Sequence, residues 1–385
     1  MKKSLIALAV LAAAGAASAQ SSVTLFGVVD ATIAVGRGNV TDRTQLTNSG
    51  YNSSRLGFRG TEDLGGGLSA SFWLEAGLAN DDGQGAATNA NNQGLGVFDA
   101  TTGANSPVRA GSQGLTFNRR STVSLAGGFG EIRLGRDYTP QFYNLTVFDP
   151  YGTNGVGTTQ TLVSSLGGVT SIRASNSIGY LLPANLGGLY GQVQYYLGEN
   201  PQDGTVAQRR VEDDGQGYGI RLGYAAGPIN VAAAMSRTEY RDPGVGAFRS
   251  DVRQNNIGAQ YDFGVAKLMA HISRDKGGVG GLAEGRGFLV GGLFPIGAGE
   301  IRASFSRYRT EIGIARPESS KIAVGYVHNL SKRTALYTTY ARVKNEGFAA
   351  TQLSSVSGGP SALNGAVGRG NASSTGFDFG VRHSF

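Results

Sequence analysis

Positively charged side chains recur at alternate positions in several short segments, with apolar side chains between them. Arg55 and Arg59 alternate with Leu56 and Phe58, and Arg133 lies in the same way between two apolar neighbours. Guanidinium groups that share one face of a segment attract anions by charge, and rings of such charge set ion selectivity in channels. The pattern therefore indicates electrostatic selection of ions and not covalent catalysis.

Sequence signatures of enzymes and metalloproteins are missing from the chain. There is no G-x-S-x-G nucleophile motif and no P-loop. The three histidines, His271, His328 and His383, are far apart and lack metal-ligand spacing. A loose G-x-G-x-x-A match at 65–70 opens an alternating segment where a dinucleotide site needs a helix, which indicates a hairpin turn. The sequence predicts no enzymatic activity, cofactor or metal.

The elements that carry the arginines are strands. Apolar and polar residues alternate with a period of two in segments such as 189–197, 220–224 and 322–326, where Lys321 continues the polar side. This period predicts strands with one apolar and one polar face. A soluble sandwich shows the same alternation, but here the polar faces carry many arginines and small residues, as the lining of a water-filled barrel does.

Short turns and long polar loops punctuate these strands alternately. The seven short turns are 63–67, 126–130, 183–187, 226–228, 262–264, 295–299 and 329–332, and the eight loops lie near 37–52, 81–115, 138–172, 199–216, 241–254, 275–286, 310–319 and 345–373. All ten prolines fall in a turn or a loop, as a closed barrel without edge strands requires. The count predicts an all-β, 16-stranded antiparallel transmembrane barrel, with short periplasmic turns, extracellular loops and both termini at the short-turn end.

The first nineteen residues predict an export signal. Lys2 and Lys3 precede an apolar stretch, and Ala17-Ser18-Ala19 forms an A-x-A cleavage site. Residues 20–385 then form a single barrel domain, without cysteine and with a net charge of about +5, from 32 Lys and Arg against 27 Asp and Glu. The basic residues form no clustered patch, which argues against nucleic-acid binding.

A set of short segments gives the chain a family resemblance. They are 22–30 (SVTLFGVVD), 54–65 (SRLGFRGTEDLG), 118–120 (NRR), 127–130 (GGFG), 134–136 (LGR), 149–152 (DPYG), 173 with 176–180 (NSIGY), and 380–385 (GVRHSF). In this order they resemble the general bacterial porins, in the branch typical of beta-proteobacteria. The resemblance implies a homotrimer in the outer membrane that passes small hydrophilic solutes and ions, with the third loop folded into each pore.

The resemblance also assigns roles within the pore. Arg55, Arg59, Arg120, Arg133 and Arg173 are expected on the pore wall, and Asp149 on the third loop is expected to face them. The alternation of Arg120 with Thr122 and Ser124 favours it as the pore-facing residue, although Arg119 fits the family pattern equally well. The basic wall and the positive net charge predict a mild anion preference.

The alternating C-terminal segment ends at Phe385. A terminal Phe on such a strand resembles the signal that the barrel-assembly machinery of the outer membrane recognises, and outer-membrane lipids and lipopolysaccharide are the expected surroundings. Two other functions remain open at this point. They are a substrate-selective channel on the same barrel and a surface protein whose loops bind host molecules or phage.

Overall fold

A computed structural model of the protein describes residues 22–39, 41–86, 92, 98–99, 104–105, 114–159, 166, 168–200, 212–242, 248–249, 251–277, 283–347 and 372–385. The predicted signal peptide, residues 1–19, lies outside this part of the chain. No helix among the described residues is long and apolar enough to cross a membrane.

Sixteen antiparallel strands form one closed sheet. They are β1 (Ser22–Arg37), β2 (Arg55–Gly65), β3 (Leu68–Ala79), β4 (Arg120–Gly127), β5 (Gly130–Tyr138), β6 (Arg173–Leu181), β7 (Leu189–Tyr196), β8 (Gly217–Ala226), β9 (Ile229–Thr238), β10 (Val252–Asp262), β11 (Lys267–Gly277), β12 (Ala283–Ile296), β13 (Gly299–Ile312), β14 (Glu318–Asn329), β15 (Thr334–Glu346) and β16 (Ser373–Ser384). Every strand pairs with its neighbour in sequence, so the predicted strand count and topology are confirmed.

Closure of the barrel joins the two ends of the described chain. The first half of β1 pairs with β2, its second half pairs with the short strand Asp42–Asn48, and its other edge pairs with β16. The backbones of Gly27 and Phe385 exchange two hydrogen bonds of 3.1 Å. A side chain at position 27 would collide with the Phe385 ring, at 2.4 Å from a Cβ atom, so glycine permits this seal.

The two faces of the barrel wall have opposite character. Apolar side chains point outward and are exposed, such as Leu222, Ile272 and Val290, of which 50–56% of the surface is accessible. Polar side chains of the same strands, such as Arg221 and Ser273, are buried inside the barrel. This arrangement is the reverse of a soluble protein and matches an apolar exterior in contact with lipid.

Short hairpins close the strands at one end. At 63–67 the Asp63 carboxylate accepts a hydrogen bond from the Gly65 amide at 2.9 Å, and Asp262 does the same for Gly264. Gly65 and Gly264 both have φ near +80°, a conformation that costs glycine nothing. The sequence predicted these turns because Asp and Gly supply the geometry.

The third loop folds into the barrel and begins with a helix, α1 (Pro140–Phe148). Helix α1 packs against the inner faces of β8–β11. Phe148 covers Gly258 so closely that a Cβ atom there would lie 2.0 Å from the ring, and Pro140 covers Gly219 in the same way. Glycines in the wall therefore make room for the helix. Residues 149–159 continue along the inner side of β13–β16, with Val156 donating its amide to Asp378 at 2.7 Å.

Lys321 of β14 holds the middle of this loop. Its Nζ donates to the carbonyl oxygens of Thr158, at 2.6 Å, and Val156, at 3.3 Å. Only 1% of its surface is accessible. Lys321 points to the inner side of the barrel, as its parity predicts, but the third loop covers it and separates it from the water-filled lumen.

Short elements occupy the other loops. They are the strands Gln84–Gly85, Phe98–Asp99, Ala104–Asn105, Arg241–Asp242 and Phe248–Arg249 and a 3-10 turn at Val169–Ser171.

Candidate functional site

Strands β2–β6 bring six arginines together on the inner side of the barrel, which we call the arginine wall. Its members are Arg55, Arg59, Arg119, Arg120, Arg133 and Arg173. Cross-strand register places Arg59 opposite Trp73 and Glu75 opposite Arg120. Because α1 and the loop after it cover β8–β16, the arginine wall forms the opposite side of the remaining passage.

Glu75 of β3 lies at the centre of this wall. Its Oε1 accepts a hydrogen bond from Arg119 Nε at 2.5 Å and one from Arg55 Nη1 at 3.3 Å. Its Oε2 accepts from Trp73 Nε1 at 3.2 Å. One carboxylate thus fixes two arginines and the indole. Alternation places Glu75 on the same face as Trp73 but does not show that Glu75 binds two arginines.

Tyr138 connects Arg119 to Arg173. Its hydroxyl oxygen accepts from Arg119 Nη2 at 3.0 Å and from Arg173 Nη2 at 3.1 Å, and the Arg173 guanidinium stacks 4.5 Å from the ring centroid. The Arg173 Nε is buried without a hydrogen-bond acceptor, and no carboxylate among the described residues forms a salt bridge with Arg173. No carboxylate contact among the described residues therefore neutralises the charge of Arg173.

Arg120 and Arg133 share the carboxylate of Asp137. Arg133 Nη1 contacts it at 2.7 Å and Arg120 Nε at 3.6 Å. Arg133 also forms a bidentate contact with Glu131, in which Nε donates to Oε1 at 2.8 Å and Nη2 donates to Oε2 at 3.0 Å. These acids fix the orientation of the two guanidinium groups.

The aromatic side chains of Trp73 and Phe26 support two arginines of the wall. The Arg59 guanidinium lies 5.2 Å from the Trp73 ring centroid, and the Arg120 guanidinium lies 4.6 Å from the same ring. Phe26 packs edge-on against Trp73 at 5.0 Å. Within the described part of the chain, Arg59 has no salt bridge. Aromatic faces hold these two arginines without neutralising them.

The wall carries an excess of positive charge. Its six guanidinium groups face three carboxylates, those of Glu75, Glu131 and Asp137, which leaves a surplus of three. The described contacts place both Arg119 and Arg120 in this cluster, Arg119 through Glu75 and Arg120 through Trp73. The preference for Arg120 over Arg119 as the pore-facing residue stays a prediction.

Asp149 is not the partner of these arginines. It is 3% exposed and ends α1 inside the third loop. Its carboxylate accepts from the amide of Tyr151 at 2.9 Å and from the amide and hydroxyl of Thr159 at 3.1 and 2.8 Å. Burial raises the pKa of Asp149, although these hydrogen bonds act in the opposite direction. The prediction that Asp149 faces the wall is therefore wrong, because a sequence cannot show that a loop carboxylate binds its own backbone.

The other side of the passage also carries arginines that the sequence analysis missed. Arg221 donates to Asn144 of α1 at 2.9 Å and stacks on Tyr143 at 4.8 Å. Further along the wall, Arg302 and Arg382 stack on Tyr51, at 4.4 and 5.3 Å from the ring centroid. Arg302 is also paired with Glu300 at 2.9 Å, so Arg221 and Arg382 carry the positive charge on this side of the lumen.

The chain matches one known protein family over most of its length. The sequence profile of the Gram-negative porins matches residues 5–348. The chain belongs to the Gram-negative porin family. An outer membrane porin protein 32 of Delftia acidovorans is 39% identical over the full length of both chains. An outer membrane porin protein of Bordetella pertussis is 28% identical over 90% of this chain and 96% of the relative.

A solved structure shares the same architecture. An anion-selective porin from Comamonas acidovorans superposes with a TM-score of 0.76 at 33% identity, over 95% of this chain and all of that one. The protein is thus an outer-membrane porin, a barrel whose lumen forms a channel. The resemblance on which the sequence analysis relied is confirmed.

Proposed function

We propose that this porin conducts small hydrophilic solutes and ions with a mild preference for anions. The observation that carries the proposal is the surplus of three positive charges on the arginine wall, with Arg59 and Arg173 held by aromatic rings and by no carboxylate among the described residues. Uncompensated charge on the wall of a water-filled passage attracts anions and repels cations, and rings of such charge set ion selectivity in channels. A relative of 33% identity that is named an anion-selective porin supports the same conclusion.

Planar-bilayer recordings test the proposal. The reversal potential across a KCl gradient is expected to have the sign of a chloride-preferring pore, and the conductance is expected to rise with salt without saturation. A reversal potential of the opposite sign would overturn the anion preference. Saturation by one solute would instead identify a substrate-selective channel.

We further propose that three such barrels form the functional unit and that the chain has no enzymatic role. The porin family supports an oligomer, and conduction requires no reacting group. Lipopolysaccharide and other outer-membrane lipids surround the apolar exterior in this proposal. Mass measurement of the native complex, extracted in mild detergent, is expected to give three copies, and a single copy would contradict the trimer.

Export and assembly involve the two ends of the chain. We propose that residues 1–19 are removed to leave Gln20 as the first residue, which N-terminal sequencing of the membrane-inserted protein tests. We also propose that Phe385 acts as a recognition signal for the barrel-assembly machinery. Phe385→Ala is expected to slow membrane insertion several-fold in cells, whereas the purified variant refolded in detergent is expected to conduct normally. Equal defects in both settings would indicate a purely structural role in the closure with Gly27.

A further inference from the structure

We propose that the outer face of β11–β13 is a binding site for lipopolysaccharide, built from a row of three arginines. The proposal rests on the outer-membrane setting described above and names one lipid and one place on the barrel. Arg274, Arg286 and Arg309 form the row, and they lie outside the lumen, on the face that carries the apolar residues.

Strand register aligns these three side chains. Arg274 of β11 is paired directly with Arg286 of β12, and Arg286 is paired directly with Arg309 of β13. Their side chains are 57%, 63% and 49% exposed. Directly paired residues on adjacent antiparallel strands lie about 5 Å apart at Cβ. Three guanidinium groups therefore form one continuous exposed row.

Like charges in direct cross-strand pairs destabilise a sheet, so this row needs negative charge. Glu284 supplies part of it, at 3.3 Å from Arg274 and 3.9 Å from Arg286, but it also binds Lys276 at 2.6 Å. Glu318 binds Arg309 at 2.8 Å and is shared with Arg307. Glu311, which is paired directly with Glu284 and lies two residues from Arg309 on the same face, adds a third carboxylate. Three carboxylates thus face five cations, and an anionic ligand would neutralise the remaining positive charge.

The position of the arginine row along the barrel axis shows at which level of the membrane that ligand would bind. On β12 the outward residues from Phe288 to Ile296 are apolar, and Arg286 follows on the loop side. Ten residues of a strand tilted by about 40° rise roughly 25 Å along the barrel axis, the height of the apolar band of an outer-membrane barrel. Phe288 and Phe305 pack against each other at 5.8 Å just below the arginines, at the position of an aromatic girdle. The row therefore lies at the level of lipid headgroups on the side of the long loops.

An apolar groove leads to this row from the membrane side. It has a volume of about 460 Å³ and lies on the outer face of β8–β11. Its lining includes the outward side chains of Leu222, Ala233, Ile257 and Ile272, and Arg274 lies at its loop-side end. Ala233 is small between larger neighbours, which opens the groove. An acyl chain in the groove would bring a phosphorylated headgroup to Arg274.

The arginine row and the apolar groove together fit a single ligand that has both a charged headgroup and acyl chains. The long loops are extracellular, so the row faces the outer leaflet, and the lipid there must combine acyl chains with closely spaced phosphates. Arginine binds phosphate through two parallel hydrogen bonds, and three aligned guanidinium groups match a headgroup with more than one phosphate. The lipid A part of lipopolysaccharide has this chemistry, whereas a phospholipid offers one phosphate.

The test is equilibrium binding of fluorophore-labelled, hexa-acylated lipopolysaccharide to the purified porin in detergent at fixed ionic strength. The triple variant Arg274→Gln, Arg286→Gln, Arg309→Gln is expected to bind at least tenfold more weakly. A control variant, Arg37→Gln, Arg342→Gln, Lys344→Gln, removes the same charge from outward positions elsewhere and is expected to change binding less than twofold. Equal losses in both variants, or none in either, would overturn the proposal.

Two further binding measurements identify the chemical class of the ligand. Lipopolysaccharide stripped of its lipid A phosphates is expected to bind the unaltered porin at least tenfold more weakly, and phosphatidylglycerol is expected not to displace the intact lipid at equal concentration. Full displacement by phosphatidylglycerol, or undiminished binding after phosphate removal, would refute the assignment to lipopolysaccharide. Ala233→Phe fills the groove and is expected to weaken binding about threefold.

Folding of the variants is controlled separately. Arg286→Gln alone, at the most exposed position, is expected to weaken binding at least threefold, and this single change remains informative if the triple variant does not assemble. Conductance and reversal potential are measured on the same samples and are expected to be unchanged, because the row lies outside the lumen. A porin that proved cation-preferring would contradict the proposed ion preference and leave the lipid-binding result intact.

Discussion

The Nε atom of Arg119 lies 2.5 Å from Oε1 of Glu75, and this contact fixes the centre of the arginine wall. Both side chains are at least nine-tenths buried within the wall, with accessible fractions of 10% and 8%. A buried carboxylate that holds two arginines in place also cancels part of their field. Glu75 therefore both organises the wall and limits its anion preference.

Neutralising Glu75 is expected to increase the anion preference. Glu75→Gln keeps an oxygen that accepts from Arg119 and removes one negative charge from the wall. A unit charge at about 4 Å acts on an ion with about 1 kcal/mol in a watery environment. Removing the negative charge favours chloride and disfavours potassium by this amount, so the chloride-to-potassium permeability ratio is expected to rise by up to roughly thirtyfold. Reversal potentials across a KCl gradient measure this change. An unchanged ratio would show that Glu75 does not act on the permeating ion.

Removing the arginines that lack a carboxylate partner is expected to have the opposite effect. The double variant Arg59→Gln, Arg173→Gln removes two of the three surplus charges and should bring the permeability ratio close to one. The double variant Arg342→Gln, Lys344→Gln removes the same charge from the outer face, where Lys344 pairs with Glu346 at 2.6 Å, and serves as the control. If the control shifts the reversal potential equally, the net charge of the barrel and not the wall determines selectivity.

The barrel could be predicted from the sequence because the signals that specify its strands and turns are local in the chain. Alternation fixes which face of a strand is apolar, and residues such as Asp63 and Gly65 specify their own turn. The wall arginines were predicted for the same reason, since parity places Arg55, Arg59 and Arg133 inside. The surroundings of Asp149 were predicted wrongly, and the burial of Lys321 beneath the third loop was not predicted, because neither burial nor backbone hydrogen bonding has a sequence period.

Glu75 and Arg302 show a second limit of sequence reasoning. Their importance arises from neighbours that are distant in sequence: Arg119 lies 44 positions from Glu75, and Tyr51 lies 251 positions from Arg302. Alternation shows that such residues face inward, but only the strand register shows which side chains they meet. The outward arginine row was invisible for the same reason, since Arg274, Arg286 and Arg309 become neighbours only through cross-strand pairing.

Asp149→Asn is expected to alter the steadiness of the current and not the ion preference. The side chain is buried in the third loop, and an amide NH₂ cannot accept the hydrogen bonds that Thr159 donates to Oδ2. Loss of these bonds should loosen the turn after α1 and increase open-channel current noise. The reversal potential should stay the same. A clear shift toward anions would mean that the Asp149 charge reaches the permeating ion after all.

Lys321→Met is expected to release the middle of the third loop. The methionine fills a similar volume but cannot donate to the carbonyl oxygens of Thr158 and Val156. A buried acceptor that loses its donor costs about 1–3 kcal/mol, so the loop should sample open positions and the channel should flicker. Single-channel recording measures the flicker, and Lys344→Met on the outer face is the control. A steady current in Lys321→Met would show that Asp378 and the packing of Tyr151 hold the loop without the lysine.

The salt-bridge cluster at the loop-side end of β9 and β10 is expected to weaken in acid. Asp251 contacts Arg237 at 2.7 Å and Arg241 at 3.3 Å. Partial burial opposes ionisation, but hydrogen bonds and charge from these arginines prevail and lower the pKa of Asp251. A carboxyl whose folded-state pKa is depressed stabilises the fold fully above its unfolded pKa of about 3.9. That stabilisation is lost as the pH falls through the lower, folded value. Pepsin digestion between pH 4 and pH 2 should therefore cut the adjoining loops increasingly fast, beyond the enzyme's own pH response on an unfolded substrate. Asp251→Asn should be cut readily throughout this range, and a variant that matched the unaltered porin at every pH would exclude Asp251 as the acid-sensitive group.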